Sequence, residues 1–219
     1  MKRNVMIRFF LLFYAVFLFS INSALAKDLV NYANTLQGTD SNFKLSRGNT
    51  YPTTALPYPM HAWSAQTGKN GSGWKYQYTS TTIRGFQQTH QCSPWVGDYN
   101  VFSMMPVLGR LEVDENKRAS SFSHKNEIAK PHYYCVKFDN GMMAEISPTT
   151  RCGHLRFSFP DSQRAYLVFD GYTNLSSVKI DVEKRRITGY VNNGRWAPKS
   201  FKAFFIIQFD KPFVSYGTW

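Results

Sequence analysis

The chain has 219 residues and carries 26 Lys+Arg against 14 Asp+Glu, a formal net charge of +12. Aromatic residues make up 16% of it and charged residues only 18%, which excludes a solvating disordered chain and fits a packed domain. The basic residues are scattered, and their densest cluster, Lys184-Arg185-Arg186, sits between two strand-like runs, so it reads as a solvated hairpin turn and no nucleic-acid partner is expected.

Residues 1–26 read as a secretory signal peptide. Lys2, Arg3 and Arg8 form a positive head, residues 9–19 are an unbroken apolar and aromatic run, and Ala24-Leu25-Ala26 is a small-x-small cleavage site. The apolar core is too short for a membrane span. The expected mature chain, 27–219, is one domain exported to the periplasm or the medium, with no membrane contact once the leader is cleaved after Ala26.

Residues 28–32 could open a strand. Residues 42–59 are rich in Asn, Pro, Gly and Thr and read as loop or edge structure. Trp63 and Gln66 follow in a polar setting. After a flexible turn at 68–73, Trp74, Tyr76 and Tyr78 alternate as in a strand. Residues 85–99 combine three amides, a histidine, a Pro-Trp pair and a Gly-Asp turn, and read as a loop that presents side chains to a ligand. Residues 101–113 read as strand, break and strand, punctuated by Pro106 and Gly109. Residues 116–131 are polar, with a short self-ordering turn at 123–127. From 133 the alternation is regular: 133–138, an Asp139-Asn140-Gly141 turn, 142–146, then 153–159, 166–169, 177–182, 187–190 and 201–209. Short strands at even spacing with almost no helical period predict an all-β fold, an antiparallel β-sandwich.

The mature chain has three cysteines, Cys92, Cys135 and Cys152, which allow one disulfide at most and match no metal-binding spacing. Cys135 and Cys152 lie in alternating apolar runs and are expected to be small buried hydrophobes. His90, His124 and His154 are the histidines to weigh. None shares a paired-ligand spacing, and His154, at the head of a strand, reads as packed or surface. His90 differs, because Thr89, Gln91 and Trp95 surround it. Planar amides, an imidazole and an indole suit a sugar, whose hydroxyls need donors and acceptors and whose apolar face stacks on a ring. The same residues also suit a loop bonded to itself with Trp95 plugging the sandwich end, and composition does not separate the two. No nucleophile motif is present, and nothing singles out a carboxylate partner for Asp98.

The stretches Ile83-Arg84-Gly85-Phe86, Thr89-His90-Gln91, Ser93-Pro94-Trp95 and Gly97-Asp98-Tyr99 closely resemble the N-terminal domain of glycoside hydrolase family 92. Supporting stretches run through the mature chain in family order, among them Gly48-Asn49-Thr50-Tyr51-Pro52, Phe122-Ser123-His124-Lys125-Asn126-Glu127 and Glu145-Ile146-Ser147-Pro148-Thr149. The resemblance implies calcium-dependent, inverting exo-α-mannosidases in which a large supersandwich-like β-domain precedes an (α/α)6 barrel. In that plan the barrel carries the general acid, the general base and most calcium contacts, and the chain stops before the last strands of the sandwich. No catalytic residue or metal ligand is assigned, and this chain alone is expected to be inactive. What carries over is a wall of the mannose pocket. Trp95 resembles the tryptophan of the α-1,2-mannosidase subgroup and would form an apolar wall for the terminal mannose. His90, Gln91 and Asp98 would position the loop or reach sugar hydroxyls, while Cys92 departs from the proline usual before Ser-Pro-Trp. The implied partners are α-mannoside glycans and a separately encoded catalytic barrel. The alternatives are a free-standing carbohydrate-binding protein and a non-functional truncated relic.

Overall fold

The computed structural model describes residues 29–40, 50–69, 75–90, 102–161, 164–172, 175–192 and 198–219. The leader, Trp74, Gln91, Cys92, Trp95 and Asp98 lie outside the described residues. In the first of two compact units, Met1–Asn34, the described element is a 3-10 turn at Leu29–Tyr32 rather than the start of a strand. Its residues are exposed, and its backbone closes locally, with Ala33 N–H donating to the Val30 carbonyl at 3.3 Å.

The second unit, Thr35–Trp219, is an antiparallel β-sandwich. One sheet has the order β1 (Ala62–Gln66), β3 (Gly85–Thr89), β4 (Ser103–Leu108) and β9 (Ala165–Asp170). A second has β2 (Thr82–Ile83), β5 (Ser120–Lys130), β6 (Tyr133–Phe138), β7 (Met143–Pro148) and β8 (Gly153–Ser158). A third has β10 (Ser177–Asp181), β11 (Arg186–Val191) and β12 (Ala203–Gln208). Phe86 of β3 joins the first two sheets, its ring 6.1 Å from Tyr134, 6.4 Å from Phe138 and 6.0 Å from Phe157. Phe205 of β12 joins the third, 5.5 Å from Phe102 and 4.7 Å from Phe169. These rings form the apolar filling that holds a sandwich together.

The regular second half of the chain folds as its alternation predicts. Tyr134, Val136 and Phe138 point inward and Lys137 outward. The Asp139-Asn140-Gly141 turn closes β6 on β7, with Gly141 at φ 89° and Asn140 Oδ1 accepting from Met142 N–H at 3.1 Å. Lys184 and Arg185 sit in the turn between β10 and β11, and Arg185 adopts φ 51°.

The first half departs from its pattern in four places. Residues 85–89, read as loop, are the inner strand β3. Residues 123–127, read as a turn, belong to the long strand β5, but its pairing with β6 jumps from Phe122↔Phe138 to Glu127↔Val136, so the polar run forms a bulge inside a strand. Residues 103–108 run through Pro106 without a break. Pairing of β4 with β3 ends at Met104, so at Pro106 the strand has one neighbour, β9, and an edge tolerates a missing donor. Tyr76 and Tyr78 alternate inward and outward outside any strand, because single loop contacts satisfy their backbone: Gln77 N–H donates to Thr67 Oγ1 at 2.9 Å and Tyr78 N–H to the Thr39 carbonyl at 3.1 Å.

The two described cysteines are not core residues. Cys135 is half-buried on the outer side of β6, and Cys152 is exposed in the turn before β8, its N–H held by Thr149 Oγ1 at 2.8 Å. Both are free thiols.

Candidate functional site

The polar run of the sequence enters the described structure as β3 and ends there at His90. There the β1–β3 ladder closes on the pair Ala62↔Thr89, which places His61, just before β1, opposite His90, just after β3. Their ring centroids lie 6.3 Å apart at 45°. His61 is buried and His90 exposed. Burial first, and the charge of His90 second, hold the His61 imidazole below its ordinary pKa, while a backbone hydrogen bond at Cys152 opposes the shift. His61 is therefore kept as a neutral ring. Trp63, two residues into β1, meets His61 edge-on at 6.1 Å and Phe102 at 5.9 Å. Gly153 of β8 makes room for that indole, since a Cβ there would lie 2.4 Å from Trp63 Nε1.

The strand beneath is fixed by a buried polar face. Register places Ser64, Gln66, Gln87, Thr89 and Ser103 on one side of the sheet, all buried. Gln66 Oε1 accepts from Ser103 Oγ at 3.0 Å and from Tyr172 O–H at 2.8 Å, and Gln66 Nε2 donates to the Gly68 carbonyl at 3.0 Å. Gln87 Nε2 donates to Tyr172 Oη at 3.4 Å, and the Tyr51 and Thr89 hydroxyls meet at 3.3 Å. Asp170 completes the network, accepting from Tyr172 N–H at 2.9 Å and pairing with the buried Arg118 guanidinium at 2.9 Å. A buried hydrogen-bond network of this kind rigidifies its strands. It accounts for a strand built from Gly-Phe-Gln-Gln-Thr and for the firm base beneath His90.

A second cluster holds Glu127 of β5. Its carboxylate has no exposed side-chain surface and accepts from Tyr134 O–H at 2.6 Å, from Tyr76 O–H at 2.9 Å and from His124 Nδ1 at 2.6 Å. His124 also meets the Tyr78 carbonyl through Nε2 at 2.6 Å and stacks on the Tyr78 ring at 4.1 Å. The Ser-His-Lys-Asn-Glu stretch thus builds an internal joint between β5, β6 and the 75–80 loop.

Of the four residues expected from sequence to bind a ligand, the structure places His90, just after β3. Gln91, Trp95 and Asp98 lie outside the described residues. His61 was missed, because no local spacing marks it: it lies 29 positions before His90 (90 − 61) and only the register joins them. His154 is exposed. Among the described residues no three His, Cys, Asp or Glu side chains meet as a cation site. The calcium implied by the resemblance finds no fitting ligand set among them. The described part of the site can accept and donate hydrogen bonds and offer aromatic rings.

The N-terminal-domain model of glycosyl hydrolase family 92 matches residues 32–219. A family 92 inverting mannosidase of Bacteroides thetaiotaomicron is 44% identical and superposes with a TM-score of 0.81 over 84% of this chain and 25% of its own. An α-mannosidase of the same family and organism, solved with mannoimidazole, is 27% identical with a TM-score of 0.68, over 85% of this chain and 26% of its own. A secreted glycosidase of Arthroderma benhamiae is 20% identical over 205 residues, 84% of this chain and 26% of its own. The chain spans about a quarter of the length of these relatives.

Proposed function

Since the chain belongs to glycosyl hydrolase family 92, as its N-terminal domain, we propose that it is the carbohydrate-facing part of an exported α-1,2-mannosidase-like glycosidase. It forms one wall of the mannose pocket, and the acid and base of inverting hydrolysis come from elsewhere. The observation that carries this reading is the 44% identity with an inverting mannosidase, extending over 84% of the chain. The buried, hydrogen-bonded end of β3 at Thr89, from which His90 emerges exposed, supports it. Trp95 stacks on the apolar face of the terminal mannose, and His90, Gln91 and Asp98 position the loop or meet hydroxyls. Export is supported by the leader pattern and by the secreted relative. No helix among the described residues is long and apolar enough to cross a membrane.

Calorimetry of the purified chain with mannose and α-1,2-mannobiose tests the reading. The expected result is a specific heat that Trp95→Ala weakens about tenfold or more, equivalent to about 1.4 kcal/mol of lost stacking. Mannoside binding indifferent to Trp95→Ala would remove Trp95 from the pocket. Turnover of α-1,2-mannobiose by this chain alone, in calcium, would overturn its non-catalytic role. A titration without heat would overturn mannose binding by this chain on its own, and with it the alternative of a free-standing carbohydrate-binding protein.

A further inference from the structure

Among the described residues, three that are not glycine hold a positive φ: Tyr58 at 57°, Tyr172 at 63° and Arg185 at 51°. The fold accounts for two of them. Tyr172 is tied into the buried network through its N–H and its hydroxyl, and Arg185 turns the chain between β10 and β11. Tyr58 has no such reason. Its side chain is 97% exposed, and it precedes Pro59, a setting that ordinarily pushes a residue to extended backbone. Strain kept at the surface, with no packing to gain from it, points to display of the side chain. The strain is held from outside. Pro57 and Pro59 fix φ on either side of Tyr58. At one end of the loop Thr54 and Trp63 exchange backbone hydrogen bonds at 2.9 and 3.0 Å, and Ala55 N–H donates to the Pro131 carbonyl at 2.7 Å; at the other, Met60 N–H donates to the Thr150 carbonyl at 3.0 Å. The loop is thus clamped to the β5–β6 and β7–β8 turns, and Pro57, Tyr58, Pro59 and Met60 are all exposed, Met60 at 62%. The next residue is the buried His61, whose ring stands 6.3 Å from that of exposed His90. The clamping turns expose His132, Thr150 and Arg151. One end of the sandwich therefore carries a rigid apolar knob together with hydrogen-bonding side chains, His90 among them.

We propose that Tyr58 and Met60 form a second sugar position, a platform on which an internal residue of a mannoside glycan stacks while the terminal mannose occupies the pocket proposed above. This rests on the function proposed there. A tyrosine ring offers the flat apolar face that a pyranose covers, and the thioether of Met60 adapts to the edge of the same sugar. Because the two prolines and the clamped ends already fix the loop, the ring is presented with little ordering left to do on binding. His132, Thr150 and Arg151 supply donors and acceptors of the kind that sugar hydroxyls take. A protein is a poor occupant, because two exposed apolar side chains fall far short of the roughly 800 Å² that each partner buries in a stable complex, whereas one pyranose matches one aromatic face.

Calorimetry of the purified chain with mannose and with α-1,2-mannotriose tests this. The trisaccharide is expected to bind more tightly than mannose. Tyr58→Ala is expected to weaken the trisaccharide about fivefold or more, and Tyr58→Phe, which keeps the ring, to preserve it, with mannose affinity unchanged in both variants. Equal affinity for the two sugars, or a gain that survives Tyr58→Ala, overturns the second position and leaves the mannose pocket standing. If neither sugar binds, the chain holds no mannoside on its own and both readings fall. A thermal melt separates display from packing. Tyr58→Gly is expected to keep or raise the thermal midpoint, because glycine adopts a φ of 57° without strain, and yet to lose the trisaccharide gain. A lowered midpoint in Tyr58→Gly would make the ring a packing element and overturn the proposal.

Discussion

At Gly85 the chain has room for a hydrogen atom and nothing larger. A Cβ there would lie 1.9 Å from Ser103 Oγ and 3.2 Å from Gln66 Oε1, inside the hydrogen bond that ties β4 to β1 across β3. Gly85→Ala must therefore move Ser103 and break that bond. The expected cost is about 1–3 kcal/mol, the range of overpacking and of a buried group left unsatisfied. Urea unfolding of Gly85→Ala, Ser103→Ala and the double variant checks it. The double variant should be less destabilised than the sum of the singles, because Ser103→Ala removes the atom that clashes. Strict additivity would mean the clash is relieved some other way. This residue was visible in the sequence as part of a Gly-Phe-Gln-Gln run, but the reason for it was not, because Ser103 and Gln66 come from other strands.

At the scale of elements, legibility followed the location of the partners. The β6–β7 hairpin is specified locally: its alternation faces one core, and Gly141 supplies the positive φ the turn needs. Gly141→Ala should cost about 1–2 kcal/mol for a left-handed L residue, and Gly141→Asn less, since asparagine tolerates that region. Chemical denaturation of the two variants distinguishes this account from a passive turn, in which both would be neutral. Strands β3 and β5 were misread for the opposite reason. Their polar residues are buried against partners far along the chain: Gln87 against Tyr172 and Glu127 against Tyr76. A pattern that equates polar with exposed cannot find a strand whose polar face is satisfied inside the protein. The bulge in β5 shows that the local turn signal at 123–127 was real and was absorbed into the strand.

At the scale of the whole molecule, buried titratable groups set the pH range of stability. His61 is held below its ordinary pKa of 6.5, chiefly by burial. As pH falls below that value the unfolded chain takes up a proton that folded His61 does not, so stability declines toward acid. Tyr76, Tyr134 and Tyr172 are each raised above the ordinary 10.0, with burial the largest cause. Unfolded tyrosines ionise first as pH passes 10, so the stability these groups contribute is fully present below that pH and is lost above it. A plateau is expected between the two limbs in denaturant unfolding at a series of pH values. His61→Gln should flatten the acid limb and Tyr172→Phe the alkaline one. An acid limb unchanged in His61→Gln would place its origin in other groups.

The sequence by itself determined the all-β class, the hairpins of the second half and, through ordered motifs, the likeness to family 92. Each of these depends on residues close along the chain or on a pattern carried by the chain itself. Tertiary structure alone decided that 85–89 is an inner strand, that His61 stands beside His90, and that the Glu127 carboxylate is enclosed by Tyr76, Tyr134 and His124. Those three facts depend on register and sheet order, which bring together groups tens of residues apart. The physical reason is that burial and hydrogen-bond satisfaction belong to the assembled sheets, so a polar residue can be core and an apolar one can be left at the rim.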